Sequence, residues 1–195
     1  MQVLVDANIL PAFKQLVSSP QVSAEVLEQV IWCYGNIAGE SLELRDTVLA
    51  DGVVGPIAAA LDNAPADSSM IRNLSWCLSN FMKGKRRAPF EQIAPGVPAL
   101  VRALQRTEQA DVINDIIWGL SFFTQEADEP SLRCLIDVGG VPKIIQLIDH
   151  INVQIAIPAL RVVGNFLASD QHTINRVVID ADIIGVYGRM IDHPK

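Results

Sequence analysis

The hydrophobic pattern of the chain repeats one apolar stripe four times at the spacing of an α-helix. Within each copy the apolar positions recur three or four residues apart, which places them on one helical face. Successive copies are 42 to 44 residues apart. The stripe positions are Leu27, Val30, Tyr34 and Ile37; Ile71, Leu74, Leu78 and Phe81; Ile113, Ile116, Leu120 and Phe123; and Ala156, Ala159, Val163 and Phe166. The pattern predicts four long helices, over residues 21–38, 68–82, 109–124 and 152–168.

A second pattern lies on the opposite face of the same helices. Each copy pairs a large residue with another side chain one turn later, and this pair points about 160° away from the apolar stripe. The pairs are Trp32 and Asn36, Trp76 and Asn80, Trp118 and Phe122, and Arg161 and Asn165. A single Trp in this position would most often be core that packs between repeats. Three at one register favour a ladder of exposed side chains instead.

Small residues recur at two places in the repeat. Three positions after each Trp or Arg stand Gly35, Ser79, Ser121 and Gly164. We expect the backbone of a neighbouring helix to pass close to each of them. A second set comprises Gly52, Gly96 and Gly140, each 44 residues from the next. Because glycine adopts positive φ without strain, these three glycines predict sharp turns between helices.

Two shorter helices precede each long one. First helices are expected, for example, over residues 42–50 and 130–138. Second helices are expected, for example, over residues 97–105 and 141–149. Residues 84–95 are rich in Lys, Arg and Pro, so the first helix of the third unit is expected to be short or lost. A fifth unit starts with helices over 171–179 and 183–191 and stops at His193-Pro194-Lys195.

Three helices in a unit of 42 to 44 residues predict an all-α armadillo-repeat solenoid with a right-handed superhelical twist. We expect one domain over residues 1–195. Its units are residues 1–40, 41–84, 85–126, 127–169 and a partial 170–195. Since no unit can bury its stripe alone, neighbouring units stack, and the third helices line a concave groove.

Composition narrows the classes of function. With 50% hydrophobic residues the chain can form a continuous core, and a net charge of −7 argues against nucleic-acid binding and favours basic partners. Cys33, Cys77 and Cys134 lack metal-ligand spacing and are typical of small buried residues in a reducing compartment. No apolar run is long enough for a membrane span. No phosphate loop or HExxH motif is present, so we expect neither an enzyme nor a cofactor or metal.

The ladder itself indicates what it could bind. Slots between Trp rings on helices about 10 Å apart accept long aliphatic stems, and the rings attract the cationic heads. The amide of an Asn one turn along can hold the backbone of an extended peptide. Asp111 and Asp115 share the face of Trp118, and Glu25 and Glu40 flank Trp32, so carboxylates stand near the slots. The pattern therefore predicts a groove for an extended basic peptide.

The runs VIWCYGNIAGESLELRD, IRNLSWCLSNFMKGK and IPALRVVGNFLAS resemble the third helices of importin-α, the adaptor that recognises nuclear localisation signals. The resemblance implies that a signal peptide runs antiparallel to the repeats, in a protein of the cytoplasm and nucleus. It implies that the lysine side chains and the backbone of the signal are bound by Trp32, Asn36, Trp76 and Asn80. It also assigns Glu40 to the critical lysine, where the family usually has Asp, and adds Asn73, Asp111 and Asp115 to the groove.

Departures from that family set limits to the resemblance. Phe122 stands where the family often has Tyr, so one hydroxyl is lost. Arg161 in place of a Trp is itself a likeness to the family, in which this stretch lies between the major and minor binding sites. Asn165 would contribute to the minor site. The basic segment that binds importin-β is absent from this chain, as are the first and last repeats. We expect a central fragment or a short relative whose uncapped ends, residues 10–17 and 183–190, adhere to another copy.

Two other functions fit the same fold. A general armadillo scaffold for other protein partners would bind acidic peptides in a basic groove, which the Asp and Asn residues of the third helices disfavour. A truncated relative could have lost cargo binding altogether. One basic cluster, Lys83, Lys85, Arg86 and Arg87, is open to three interpretations: a nuclear signal, a self-inhibitory segment, or a solvated loop between units.

Overall fold

The computed structural model describes residues 1–192, apart from the side chains of Ala127, Met190 and Asp192. The expected stop at His193-Pro194-Lys195 lies outside the described residues. The α-helices are α1 (Gln2–Asp6), α2 (Leu10–Ser18), α3 (Ala24–Glu40), α4 (Leu42–Ala50), α5 (Val54–Asn63), α6 (Ser69–Met82), α7 (Phe90–Ile93), α8 (Val97–Arg106), α9 (Ala110–Phe123), α10 (Glu129–Asp137), α11 (Val141–Leu147), α12 (Val153–Leu167), α13 (His172–Asp180) and α14 (Ile183–Asp192). Short 3₁₀ helices lie at Ala94–Gly96 and Gln125–Ala127.

The four long helices α3, α6, α9 and α12 pack side by side in chain order. A second row, α2, α5 and α8, packs in the same order behind them. Every position of the repeated stripe is buried except Leu27, which is half-buried against the core. Burial of these side chains against neighbouring units is what holds the stack together. The all-α prediction is confirmed, because residues 1–192 contain no β-strand.

The third unit nearly lacks its first helix, as the sequence predicts. Only the four residues of α7 remain. The loop before them is bound by a buried arginine of the preceding unit. The guanidinium of Arg45, on α4, is fully buried and donates to the backbone carbonyls of Lys83 and Arg86 at 2.9 Å each. Arg86 also pairs with Asp46.

Arg87, the next residue of the basic cluster, pairs with Asp128 at the start of α10 and donates to Ser131. Two of the four basic side chains therefore bind within the molecule and bridge the gap left by the missing helix. These contacts favour the interpretation of the cluster as a loop between units.

Left-handed residues form some of the turns between first and second helices, but only one of the three expected glycines is among them. Gly52 has φ 73°, as predicted. The prediction is wrong for Gly96 and Gly140, whose φ values are −81° and −76°. In the third unit the 3₁₀ helix at Ala94–Gly96 leads directly into α8, and in the fourth unit the left-handed residue is Gly139, with φ 71°.

The two ends of the stack expose apolar side chains. Leu10 and Val17 are buried, whereas Val3 in α1 and Ile184 and Ile191 in α14 are exposed. Of these exposed residues Ile184 lies within a stretch expected to be adhesive, whereas Val3 and Ile191 lie outside the two stretches. Self-association through them stays a prediction, to be tested by sedimentation at high protein concentration.

Candidate functional site

Most of the ladder residues are exposed or half-buried on the outer face of the long helices, but Asn80 is buried. Trp32 exposes 52% of its surface, Trp76 and Trp118 are half-buried, and Arg161 is exposed. Side-chain caps help to define where these helices start. Ser23 and Ser68 accept hydrogen bonds from backbone N–H groups in the first turns of α3 and α6. The apolar stripe then turns the opposite face, with its Trp residues, away from the core.

Trp76 lies against the backbone of α3 at Gly35. A Cβ placed on Gly35 would be 2.2 Å from Cζ3 of Trp76, so only glycine leaves room for the ring. The small residue expected at this position is thus required by a side chain, not by a helix backbone. The backbone prediction holds at Ser79, whose Cα would be 3.1 Å from a Cβ on Gly119. It is wrong for Gly164, because none of the described residues comes within 4 Å of a Cβ added there.

Two of the ladder amides join neighbouring units. Asn80 Nδ2 donates to the carbonyl of Gly35 at 3.1 Å, and Asn165 Nδ2 donates to the carbonyl of Ser121 at 3.2 Å. Since a carbonyl only accepts, each bond fixes which amide atom faces the preceding helix. Asn36 differs, because it donates to the carbonyl of Trp32 in its own helix. The amides are therefore partly engaged before any ligand arrives, and their oxygens are the groups left for one.

One compartment of the groove lies between α3 and α6. Its volume is about 440 Å³. It is lined by Met1, Gly35, Asn36, Gly39, Glu40, Trp76, Asn80 and Lys83. Glu40 is exposed, and its Oε2 is 3.0 Å from the amino group of Met1. The cation of this pair comes from the chain itself, so the ammonium of a ligand would have to displace it.

The next compartment lies between α6 and α9 and has a volume of about 340 Å³. It is lined by Trp76, Ser79, Asn80, Lys83, Asp115, Trp118 and Phe122. Burial, and to a smaller extent the charge of nearby Asp111, raises the pKa of the Asp115 carboxyl to about 6. Among the described residues no basic side chain forms an ion pair with Asp115. A half-buried carboxylate without a cation is a natural ligand for one.

Asp111 and Asn73 are less well placed for a ligand. Asp111 is exposed, and its Oδ2 is 2.7 Å from Nε of Arg72 on α6. The cation of this pair comes from the protein itself. Asn73 is half-buried and lines neither of the two compartments.

Beyond Trp118 the groove is closed by the protein's own side chains. The rings of Trp118 and Phe122 are 6.0 Å apart, and the guanidinium of Arg161 lies 5.4 Å from the centre of the Phe122 ring. This is a cation–π contact of the kind that a ligand would otherwise make. Asn165, one turn after Arg161, also donates to Thr124 Oγ1 at 3.0 Å.

Lys83 is a groove residue that sequence reasoning misses. It follows Asn80 by three positions, so it lies one turn further on the same face, and it lines both compartments. The spacing from Asn80 was the signal, but the neighbouring Lys85, Arg86 and Arg87 made Lys83 resemble part of a loop.

Other kinds of site find no support in the described part of the chain. Residues 1–192 hold no group of three or more His, Cys, Asp or Glu side chains placed to bind a metal ion. None of the helices there has both the length and the apolar character that a membrane crossing requires.

Comparison with known proteins relates the chain to importin-α subunits. No protein-family profile matches the sequence. Importin subunit alpha-1b of Oryza sativa subsp. japonica is 38% identical over 169 residues, which is 87% of this chain and 31% of that protein. Importin subunit alpha-2 of Arabidopsis thaliana is 38% identical over 149 residues, 76% of this chain and 27% of that protein. The chain therefore matches less than a third of the length of these relatives.

Solved structures bear on the fold. A designed armadillo repeat protein in complex with the peptide (KR)4 superposes with a TM-score of 0.83 at 20% identity, over 100% of this chain and 79% of that one. Computationally designed armadillo repeat proteins for modular peptide recognition give 0.81 at 19% identity, over 95% and 76%. At this identity the likeness concerns the fold alone, and it confirms the predicted armadillo solenoid.

Proposed function

The chain is homologous to the importin-α subunits over most of its length, and from this premise we propose that its groove binds extended Lys/Arg-rich peptides of the nuclear-localisation-signal type. The observation that carries the proposal is Asp115, a half-buried carboxylate between Trp76 and Trp118 that has no basic partner among the described residues. A ligand that supplied a cation there would offset the cost of burying the carboxylate.

A lysine side chain fits this compartment chemically. Its aliphatic stem would pass between the two indole rings, and its ammonium would reach Asp115. Cation–π attraction from each ring adds roughly 0.5 to 2 kcal/mol. Arginine would bind in the same way with a bidentate contact to the carboxylate. The slot therefore favours long basic side chains over short or acidic ones.

The neighbouring compartment supports a second basic position. Glu40 lies at its edge, and Trp76 forms the wall that both compartments share. Helices about 10 Å apart match roughly three residues of an extended chain, so one peptide can reach both compartments. The oxygen of Asn80, whose amide nitrogen is held by Gly35, would accept a backbone N–H of that peptide.

We assign this groove to the cargo-binding part of a nuclear import adaptor that works in the cytoplasm and nucleus. We expect the peptide to run antiparallel to the repeats, as the resemblance to importin-α implies. Trp32, Asn36, Glu40, Trp76, Asn80, Asp115 and Trp118 are the proposed contact residues. Asn73 is assigned a smaller part because it lines neither compartment. Asp111, Phe122, Arg161 and Asn165 are assigned smaller or indirect parts because they already bind within the protein. Trp32 also lines neither compartment and is included because it is the most exposed Trp of the ladder.

The direct test is a titration of the intact chain with a Lys-rich signal peptide, followed by Trp fluorescence. Saturable binding is expected, and Asp115→Asn, which keeps the shape of the side chain, should weaken it about 10- to 100-fold. The matched control is Asp111→Asn, which removes an exposed carboxylate already paired with Arg72. We expect it to change affinity less than threefold or so.

An acidic peptide of equal length distinguishes the rival function. Lys83 and Arg161 are cations on the same face, and a general scaffold could use them for acidic partners. Tighter binding of the acidic peptide would establish the scaffold function. No binding of either peptide at near-millimolar concentration would remove the import function and leave only the fold.

A further inference from the structure

The groove changes its chemistry at α12. The exposed face of this helix carries aliphatic side chains one turn apart, Val153 with 60% of its surface exposed and Ile157 with 52%. Ile151, just before the helix, is 98% exposed. Neighbouring apolar residues of α12, such as Ile155 and Ala159, are buried, so these three do not belong to the core.

Ile157 adjoins the closed end of the groove. It precedes Arg161 by one turn and about 40° of helical rotation, so both lie on the same face of α12. The guanidinium of Arg161 covers Phe122 on α9. An extended chain that leaves the Trp76–Trp118 compartment in this direction therefore meets a fixed cation and an aliphatic surface together.

The charge and the size of this surface decide what can cover it. Arg161 repels a basic side chain, and an apolar side chain gains by removing Ile157 and Val153 from water. A second copy of the protein would need far more surface, since a stable dimer buries roughly 20 to 30 residues on each side. The apolar surface of three aliphatic residues is enough to contact one or two side chains of a bound peptide.

We propose that the preferred ligand of this groove is a basic peptide that also carries an aliphatic residue, which contacts Ile157 and Val153. This inference rests on the proposed function, because it extends the same peptide beyond its basic cluster. α12 is one helix spacing, about 10 Å, from α9, which carries Asp115. At about 3.3 Å per residue the aliphatic side chain is about three positions from the lysine at Asp115. With the peptide antiparallel to the repeats, it is on the N-terminal side of that lysine.

The test uses labelled peptides of one length in fluorescence anisotropy. All carry the same lysine cluster, and Leu, Ser or Lys is placed in turn at two to five positions on its N-terminal side. At the best position Leu should bind about fivefold more tightly than Ser, and Lys more weakly than Ser. In Ile157→Ser the advantage of Leu should vanish, while the Ser peptide should bind as it does to the original chain.

Ile184→Ser is the matched control, because Ile184 is an exposed aliphatic residue of the same type, on α14, that lines neither compartment. It should keep the preference for Leu. Equal binding of the Leu and Ser peptides at every position would overturn this inference and leave basic-peptide binding intact. Failure of all the peptides to bind would overturn both. A dimer that Ile157→Ser converts to monomer, seen by sedimentation without peptide, would identify the patch as a self-contact and also overturn it.

Discussion

Two neighbouring sections of one groove, built from the same repeat, present opposite chemistry. Between α6 and α9 the compartment is open, and Asp115 has no basic partner among the described residues. Between α9 and α12, Arg161 occupies the position of the Trp and lies over Phe122. The same helix spacing thus gives a vacant cation slot in one section and a filled one in the next. Two differences separate them: Arg161 replaces the ladder Trp, and Pro158 stands on α12 where α9 has Asp115.

The largest effect is expected from two glycines at one register of the repeat, Gly35 on α3 and Gly164 on α12. Gly35→Ala would place a methyl group 2.2 Å from the Trp76 ring and force that ring out of its position. We expect a loss of about 1 to 3 kcal/mol in the free energy of unfolding, as for other overpacked sites. Peptide binding should weaken as well, because Trp76 is the wall between the two compartments.

Gly164→Ala is the matched control, at the equivalent position of α12. Nothing lies within 4 Å of an added Cβ there, so alanine should stabilise the helix by up to about 1 kcal/mol. Urea denaturation of both variants checks the contrast. Equal stability changes in the two would mean that Trp76 does not pack on Gly35.

A smaller effect is expected from Asp115 on stability. Its pKa of about 6 in the folded state exceeds the ordinary value of about 4, so the folded state binds the proton more tightly than the unfolded state. This contribution is fully present below about pH 4 and is lost as the pH rises to about 6. At pH 7 Asp115→Asn should therefore stabilise the free protein, by about 1 kcal/mol after allowance for solvent screening.

Thermal unfolding at pH 7 and at pH 4 measures this effect. The gain from Asp115→Asn should be present at pH 7 and absent at pH 4. A variant that is more stable yet binds a basic peptide more weakly would mark Asp115 as a residue kept for binding. Destabilisation at pH 7 would instead indicate a structural role for the carboxylate.

The smallest effect is expected from opening the filled section. Arg161→Gln removes the cation over Phe122 and should let a Lys-rich peptide long enough to reach α12 bind about two- to fivefold more tightly. A short peptide that ends at Trp118 should show no change. Isothermal titration with both lengths makes the comparison. An equal gain for both would point to a general charge effect rather than a local slot.

Periodicity predicted the helices well because it reports which side of a helix is buried. The long helices begin and end within three residues of the expected positions, and the predicted stripe is the observed core. Periodicity does not report what a side chain touches. It gave no sign that Gly35 makes room for Trp76, that Asn80 donates to the preceding helix, or that Gly164 faces open space.

Charged residues were the hardest to place from the sequence. Arg45 looks like a surface residue of α4, yet it is fully buried under the loop it holds. Asp111 and Asp115 share one helical face, but only Asp111 meets a basic partner, Arg72 from the neighbouring unit. Such pairings depend on contacts between units that are about 40 residues apart in the chain. A pattern within one helix cannot contain them.

The central claim is that Asp115 receives the cation of a basic peptide, and the pKa of its carboxyl group measures this directly. We would titrate the carboxyl carbon of Asp115 by NMR, in the free protein and in the protein saturated with a Lys-rich peptide. The free pKa should be about 6, and a bound ammonium should lower it below about 4. Affinity should then fall by up to about tenfold per pH unit below pH 6. An Asp115 pKa that stays the same in the saturated complex would contradict the account.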